Sequence, residues 1–220
     1  MSAYHDLTVA EFRALARVRL AAEPRIATTD SQIQPLRGDH DLNDSFPGFG
    51  EPGPVLRPAA VLVPVIERDG VLAVILTQRP DHMTSHAGQV AFPGGKIDRT
   101  DASPLAAALR EAEEEIGLAP HLAEPLGYLD VYQTGTGYRI LPVVALVASE
   151  FTPRLNPSEV ADCFEVPLAF LIDRRNHRIE ATEWRGRLRR YYDIPFGTRR
   201  IWGVTAGMVR NLSERLDPPC

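Results

Sequence analysis

The sequence predicts an α/β fold in which a mixed sheet lies between helices. Apolar runs of strand length recur from Ala59 to Ala148, and helical segments stand before, among and after the strand runs. They do so without the strict alternation that builds an all-parallel sheet. With 220 residues the chain can bury one full core, and nothing in it suggests two complete domains. The expected division is an N-terminal helix and irregular arm over residues 1–58, packed on a domain that spans 59–220.

Thr8 and Glu11 form a capping-box pair ahead of an apolar-periodic run, which predicts a helix to about Leu20. From Glu23 to Pro58 the chain is rich in Pro, Gly and Asp and lacks periodicity, so it reads as an irregular arm. AAVLVPVIE from Ala59, a turn at Arg68–Gly70 and VLAVILTQR read as a hairpin, although Pro64 counts against the first run as a central strand. Ser103 as N-cap, Pro104 in the first turn and Gly117 as the stop delimit a helix of about Pro104–Ile116. Strands are expected at Leu126–Val131 and Ile140–Ala148, then a strand and a short helix from Glu159 through VPLAFLID. An arginine-bearing strand at Trp184–Tyr192 and a helix at Val204–Arg215 complete the expected elements.

The formal charge of −5, from 24 basic and 29 acidic residues, gives no broad positive footprint for a nucleic-acid polymer. Cys163 and Cys220 are read as unpaired thiols that suit a reducing compartment. The charged N-terminus lacks the apolar stretch of a signal peptide, and no segment approaches the roughly 20 apolar residues of a membrane span. A soluble, cytoplasmic protein with a small-molecule substrate and no membrane partner is therefore expected.

The helix after Phe92-Pro93-Gly94-Gly95 carries the chemistry. At about 100° per residue, Leu105, Leu109, Ala112 and Ile116 share a core-facing stripe, while Glu111, Glu114 and Glu115 gather on another arc. Like-charge pairs at this spacing each cost a few tenths of a kcal/mol. A hard divalent ion such as Mg²⁺, which takes carboxylate oxygens and phosphate together, offsets that repulsion. Arg110 lies one turn before Glu114 and can pair with it, whereas Glu113 points elsewhere. An isolated glutamate run is usually a solvated helix face. Gly94 and Gly95 weaken that reading, because they permit close backbone approach and leave a carbonyl free to face the same ion, although glycines alone are weak evidence.

Gly95, five residues, Asp101, eight residues and then REAEEEIGL resembles the Nudix box, usually G-x5-E-x7-R-E-U-x-E-E-x-G-U with U aliphatic. Asp101 stands in place of the usual Glu, and one residue is inserted before Arg110. Immediately upstream, LTQRPDHMTSHAGQVAFPGGKID resembles the signature of the coenzyme A pyrophosphatase branch, LTxR followed by HxGQ and FPGG. The resemblance implies a Nudix-type α/β/α sandwich and metal-dependent cleavage of the diphosphate bond of coenzyme A or acyl-CoA. The products would be 3′,5′-ADP and 4′-phosphopantetheine or its acyl form, and the cofactor Mg²⁺ or Mn²⁺.

By position, the resemblance makes Glu111 and Glu115 the primary metal ligands, helped by the Gly95 carbonyl. Glu114 would bridge metals or orient and deprotonate the water, with Arg110 fixing its direction. Outside the box, Glu159 is the candidate extra carboxylate, weighed against a plain surface glutamate. Arg79, Gly94 and Tyr138 are candidates to touch substrate. Arg185, Arg187, Arg189 and Arg190 form the densest basic cluster, a candidate pocket for the 3′-phosphate of coenzyme A against the commoner solvated strand face. His82 and His86 are not expected to bind zinc, since no further ligand lies nearby; His86 is expected to fix its loop by hydrogen bonding. Tyr191, Tyr192, Phe196 and Trp202 read as core or interface rather than an adenine stack. A homodimer is plausible by resemblance and symmetry. Rival readings are a Nudix hydrolase of ADP-ribose, a nicotinamide dinucleotide or a damaged nucleoside triphosphate, and a non-catalytic binding module. The latter usually lacks a box glutamate, and all three are present here.

Overall fold

The computed structural model describes residues 7–24, 37–43, 56–81, 88–184 and 186–217. His82, His86, Arg185 and Cys220 lie outside the described residues, as do the side chains of Trp184 and Arg187. The helices are α1 (Val9–Arg19), α2 (Pro104–Ile116), α3 (Leu168–Ile172) and α4 (Val204–Leu216). The strands are β1 (Arg37–Gly38), β2 (Arg57–Arg68), β3 (Val71–Gln78), β4 (Val90–Ala91), β5 (Gly94–Lys96), β6 (Ala123–Tyr128), β7 (Tyr132–Gln133), β8 (Tyr138–Val147), β9 (Asp162–Pro167), β10 (Arg178–Trp184), β11 (Arg187–Phe196) and β12 (Arg199–Trp202). A mixed sheet runs β1-β7-β8-β2-β3-β4, with β5 beside β2, β6 beside β8 and β9 beside β3. A smaller antiparallel sheet runs β10-β11-β12.

Both faces of β2 are buried, which explains its nearly unbroken apolar run. Val61, Val63 and Val65 join one core with Phe12 of α1, Leu168 of α3 and Leu212 of α4. Ala60, Leu62 and Ile66 join the other, with Ala108, Ala112 and Ile116 of α2. The large sheet is thus a layer between α2 and the other helices, as the sequence predicts.

Four expectations need correction. Pro64 does sit in a central strand, opposite Ala145 of the parallel neighbour β8. On its other side β2 pairs with β5 through Val61 and with β3 from Val65, so Pro64 falls between partners. The Leu62 N–H points to that side, donating to the Pro93 carbonyl; by strand alternation the N–H that Pro64 lacks faces the same gap, where no ladder bond is lost. Secondly, the core face of α2 is wider than the predicted stripe: Ala112 and Ile116 are buried and Leu105 and Leu109 pack against the same core, but Ala107, Ala108 and Glu115 are buried as well. Alanines let the helix approach β2 and β5 closely, which widens its buried face toward Glu115. Thirdly, the arm contains regular structure: β1 pairs in parallel with β7. Lastly, the arginine-bearing strand has partners on both sides, β10 and β12, that periodicity did not reveal.

Candidate active site

Strand β5 lies antiparallel to the start of β2, with Gly95 opposite Ala60 and Gly94 opposite Val61. A Cβ on Gly95 would stand 2.5 Å from the Glu111 carboxylate. Glu111 therefore lies directly on the Gly95 backbone, and the glycine leaves the room it occupies. The Gly94 N–H donates to Oε2 of Glu115 at 3.2 Å.

Arg110 orders the helix side of the site. Its Nε and Nη2 grip the two oxygens of Asp101 at 3.0 and 3.1 Å, a bidentate fork. Nη1 lies 3.0 Å from Glu111 Oε1 and 3.1 Å from Glu114 Oε2, and Nη2 donates to the Lys96 carbonyl at 3.2 Å. The hydrogen bonds from Arg110 hold the Asp101 carboxyl below the usual range. Asp101 reaches Arg110 despite the shorter side chain and the extra residue before the arginine.

A third carboxylate arrives from a distant loop. The C-terminal carbonyls of α2 need partners beyond the helix, and the Glu115 and Ile116 carbonyls accept from the N–H groups of Asn156 and Arg154 at 2.9 and 2.8 Å. Asn156 in turn accepts the Glu159 N–H at its carbonyl, and its Nδ2 lies 3.4 Å from Glu159 Oε1. One oxygen from each of Glu111, Glu115 and Glu159 falls within 4.8 Å of the others. Asn156 escaped notice as a positioning residue; the turn-forming Asn156-Pro157-Ser158 was its one signal.

Glu114 is not in this cluster; it is exposed and ion-paired to Arg110. Glu115 is buried, and desolvation pushes its pKa up to about 8, assisted by Glu111 and Glu159 and opposed by the Gly94 N–H and the Arg79 charge. Burial raises Glu111 as well, against its bonds to Arg110. Arg79 is thus brought to the cluster, just beyond the end of β3. Tyr138 opens β8 with the Arg57 guanidinium stacked 4.0 Å from its ring centre. Arg189 is tied elsewhere, bonded at 2.8 Å to Asp39, a buried carboxylate that also accepts from Tyr132 and the Gly135 N–H. Arg189 therefore anchors the arm through a buried carboxylate. Cys163 is a free thiol.

With divalent ions chelated, the folded chain binds more protons than the unfolded chain between the ordinary carboxyl value of 4.5 and about 8, because Glu115 keeps its proton. Its contribution to stability therefore falls as pH rises through that window, by on the order of a few kcal/mol. Urea melts of wild type and Glu115→Gln in chelator at both ends of the window isolate the group. The substitution should flatten the profile, and identical slopes would contradict the burial argument.

The family model described as NUDIX domain matches residues 56–186. The chain belongs to the Nudix family. It is 42% identical over 161 residues to the Nudix hydrolase NudL of Escherichia coli K12, covering 73% of this chain and 83% of that protein. The NudL of Shigella boydii serotype 18 matches to the same extent. Among solved structures, a MutT/nudix family protein from Enterococcus faecalis aligns with a TM-score of 0.46 at 14% identity, over 79% of this chain and 65% of that one. The NUDIX domain of Shewanella oneidensis NrtR, solved with ADP ribose, aligns with a TM-score of 0.42 at 23% identity, over 58% and 84%. This Nudix hydrolase acts on nucleoside diphosphate derivatives, in a family that generally uses divalent metal ions. No helix among its described residues is long and apolar enough to cross a membrane.

Proposed function

We propose that this Nudix hydrolase cleaves the diphosphate bond of coenzyme A or acyl-CoA, releasing 3′,5′-ADP and 4′-phosphopantetheine or its acyl form, with Mg²⁺ or Mn²⁺ as cofactor. The observation that carries the metal-dependent reading is the convergence of Glu111, Glu115 and Glu159 within 4.8 Å. Their hard oxygen donors suit such an ion. The missing Cβ of Gly95 keeps the cradle open beside Glu111, where the Gly95 carbonyl is a fourth candidate donor. When bound, the ion polarises phosphoryl oxygen and lowers the pKa of a coordinated water.

The chain's own residues have separable tasks. Arg110 holds Glu111 and Glu114 in fixed directions. Glu114, outside the three-carboxylate cluster, is left to orient the attacking water and accept its proton, or to bridge to a second ion. Arg79, whose charge reaches Glu115, would fork onto a diphosphate oxygen, since guanidinium groups match phosphate oxygens. The choice of coenzyme A rests on LTQR, HAGQ and FPGG, the first and last of which supply Arg79, Gly94 and Gly95. A homodimer fits the same resemblance, and a cytoplasmic location fits the unpaired cysteines.

Chromatography of products from coenzyme A, acyl-CoA, ADP-ribose and a nicotinamide dinucleotide, each with Mg²⁺ and Mn²⁺, tests the reading. Coenzyme A should yield 3′,5′-ADP with the highest kcat/KM. Preferred release of AMP from ADP-ribose would overturn it.

A further inference from the structure

We infer that Asn156 is a positioning residue that presets Glu159 toward the carboxylates of α2 and thereby sets the site's preference for a small divalent ion. The inference rests on the metal-dependent reading above and names the residue that would make the three carboxylates a rigid set. Asn156 is bonded to two of the three clustered glutamates, Glu115 through the backbone and Glu159 through both backbone and side chain.

The backbone of Asn156 joins the two halves of the cluster. Its N–H donates to the Glu115 carbonyl at 2.9 Å, at the end of α2. Its carbonyl accepts the N–H groups of Glu159 and Val160 at 3.0 and 2.9 Å. Val160 is buried, which anchors the far side of the turn in the core. Glu111 and Glu115 stand on one helix, where their spacing is fixed by its geometry. Glu159 comes from a separate loop, and this turn sets its distance from them.

The side chain adds direction. Oδ1 accepts from the Ser158 N–H at 3.2 Å and from the Ser158 hydroxyl at 2.6 Å, which closes an Asx-type turn. With both of those donors on Oδ1, the amide presents Nδ2 to Glu159, 3.4 Å from Oε1. A neutral donor at that distance steers the carboxylate without neutralising it, whereas Arg110 directs Glu111 and Glu114 with a full charge at 3.0 and 3.1 Å. The charge of Glu159 thus remains available to a cation. Mg²⁺ demands near-ideal octahedral geometry, while Ca²⁺ accepts flexible and irregular shells. A third carboxylate held in one direction therefore suits the smaller ion, and a loose one gives up that advantage.

Calorimetric titration with Mg²⁺ and with Ca²⁺ tests this on Asn156→Ser and Asn156→Ala, each alone and combined with Glu159→Gln, with melting temperatures measured in chelator. Serine keeps an acceptor for the Ser158 N–H but is too short to reach Glu159, so it preserves the turn where alanine does not. Alone, both substitutions should weaken Mg²⁺ binding about 10- to 100-fold and Ca²⁺ binding less than about 3-fold. Combined with Glu159→Gln, they should change Mg²⁺ binding less than about 2-fold, because a residue that acts through Glu159 has no carboxylate left to position. Unchanged Mg²⁺ binding in the single variants, the same loss with and without Glu159→Gln, or equal losses for the two ions would each overturn the inference. If Glu159→Gln by itself leaves Mg²⁺ affinity at the wild-type value, Glu159 is not a ligand and the three-carboxylate reading fails as well.

Discussion

Glu115→Gln is expected to lower kcat by on the order of 10²–10³-fold while the protein stays folded. The loss follows from removing the charge of Glu115, the buried member of the trio Glu111, Glu115 and Glu159, whose oxygens lie within 4.8 Å of one another. Retention of the fold follows from the same geometry. Glutamine has nearly the same volume, and its carbonyl oxygen can still accept the Gly94 N–H that Glu115 now accepts at 3.2 Å. A neutral side chain also suits a buried position better than an unpaired carboxylate. Calorimetric titration with Mg²⁺ should show weakened binding, and circular dichroism in chelator should show an undiminished melting temperature. Collapse of the fold together with activity would make Glu115 a structural residue and sink the metal-site assignment.

The two adjacent glycines should fail in different ways. Gly94 has φ +153°, and a Cβ there would lie 2.5 Å from the Ala60 carbonyl oxygen and 2.6 Å from the Val61 Cα. Those atoms are the backbone of the central strand and cannot yield without breaking the β2–β5 ladder. Gly94→Ala should therefore cost about 2–5 kcal/mol of stability. At Gly95 the obstacle is the carboxylate of Glu111, the movable end of a side chain. Gly95→Ala should leave stability within about 1 kcal/mol of wild type, but displace Glu111 and lower turnover or metal affinity about 10- to 100-fold. Urea unfolding and steady-state kinetics on the pair separate the two effects. Equal losses of stability in both variants would mean that Glu111 does not lie on Gly95 as described.

Elements with a local chemical signature were legible in the sequence. Thr8 with Glu11, and Ser103 with Pro104 and Gly117, delimit α1 and α2 because capping is decided within a few residues. The clustering of Glu111 and Glu115 on one arc follows from helical geometry alone. Glu159 could be only a candidate, since nothing local separates a ligand from a surface glutamate. Its place is set by hydrogen bonds from Asn156 and Arg154 to the end of α2. Helical periodicity put Leu105, Leu109, Ala112 and Ile116 on the core side, where all four pack, but only the close approach of α2 to the sheet buries Ala107, Ala108 and Glu115 beside them.

By itself, then, the sequence determined the caps, the strand-length runs and the acidic helical arc, because each depends on neighbours along the chain. Tertiary structure alone decided which long-range charges meet: Glu159 with Glu111 and Glu115, Arg189 with Asp39, and Arg199 with Asp162. The physical reason is that a side chain's charge has a sign in the sequence but acquires a partner only when the sheet register and the loop closures bring distant segments together.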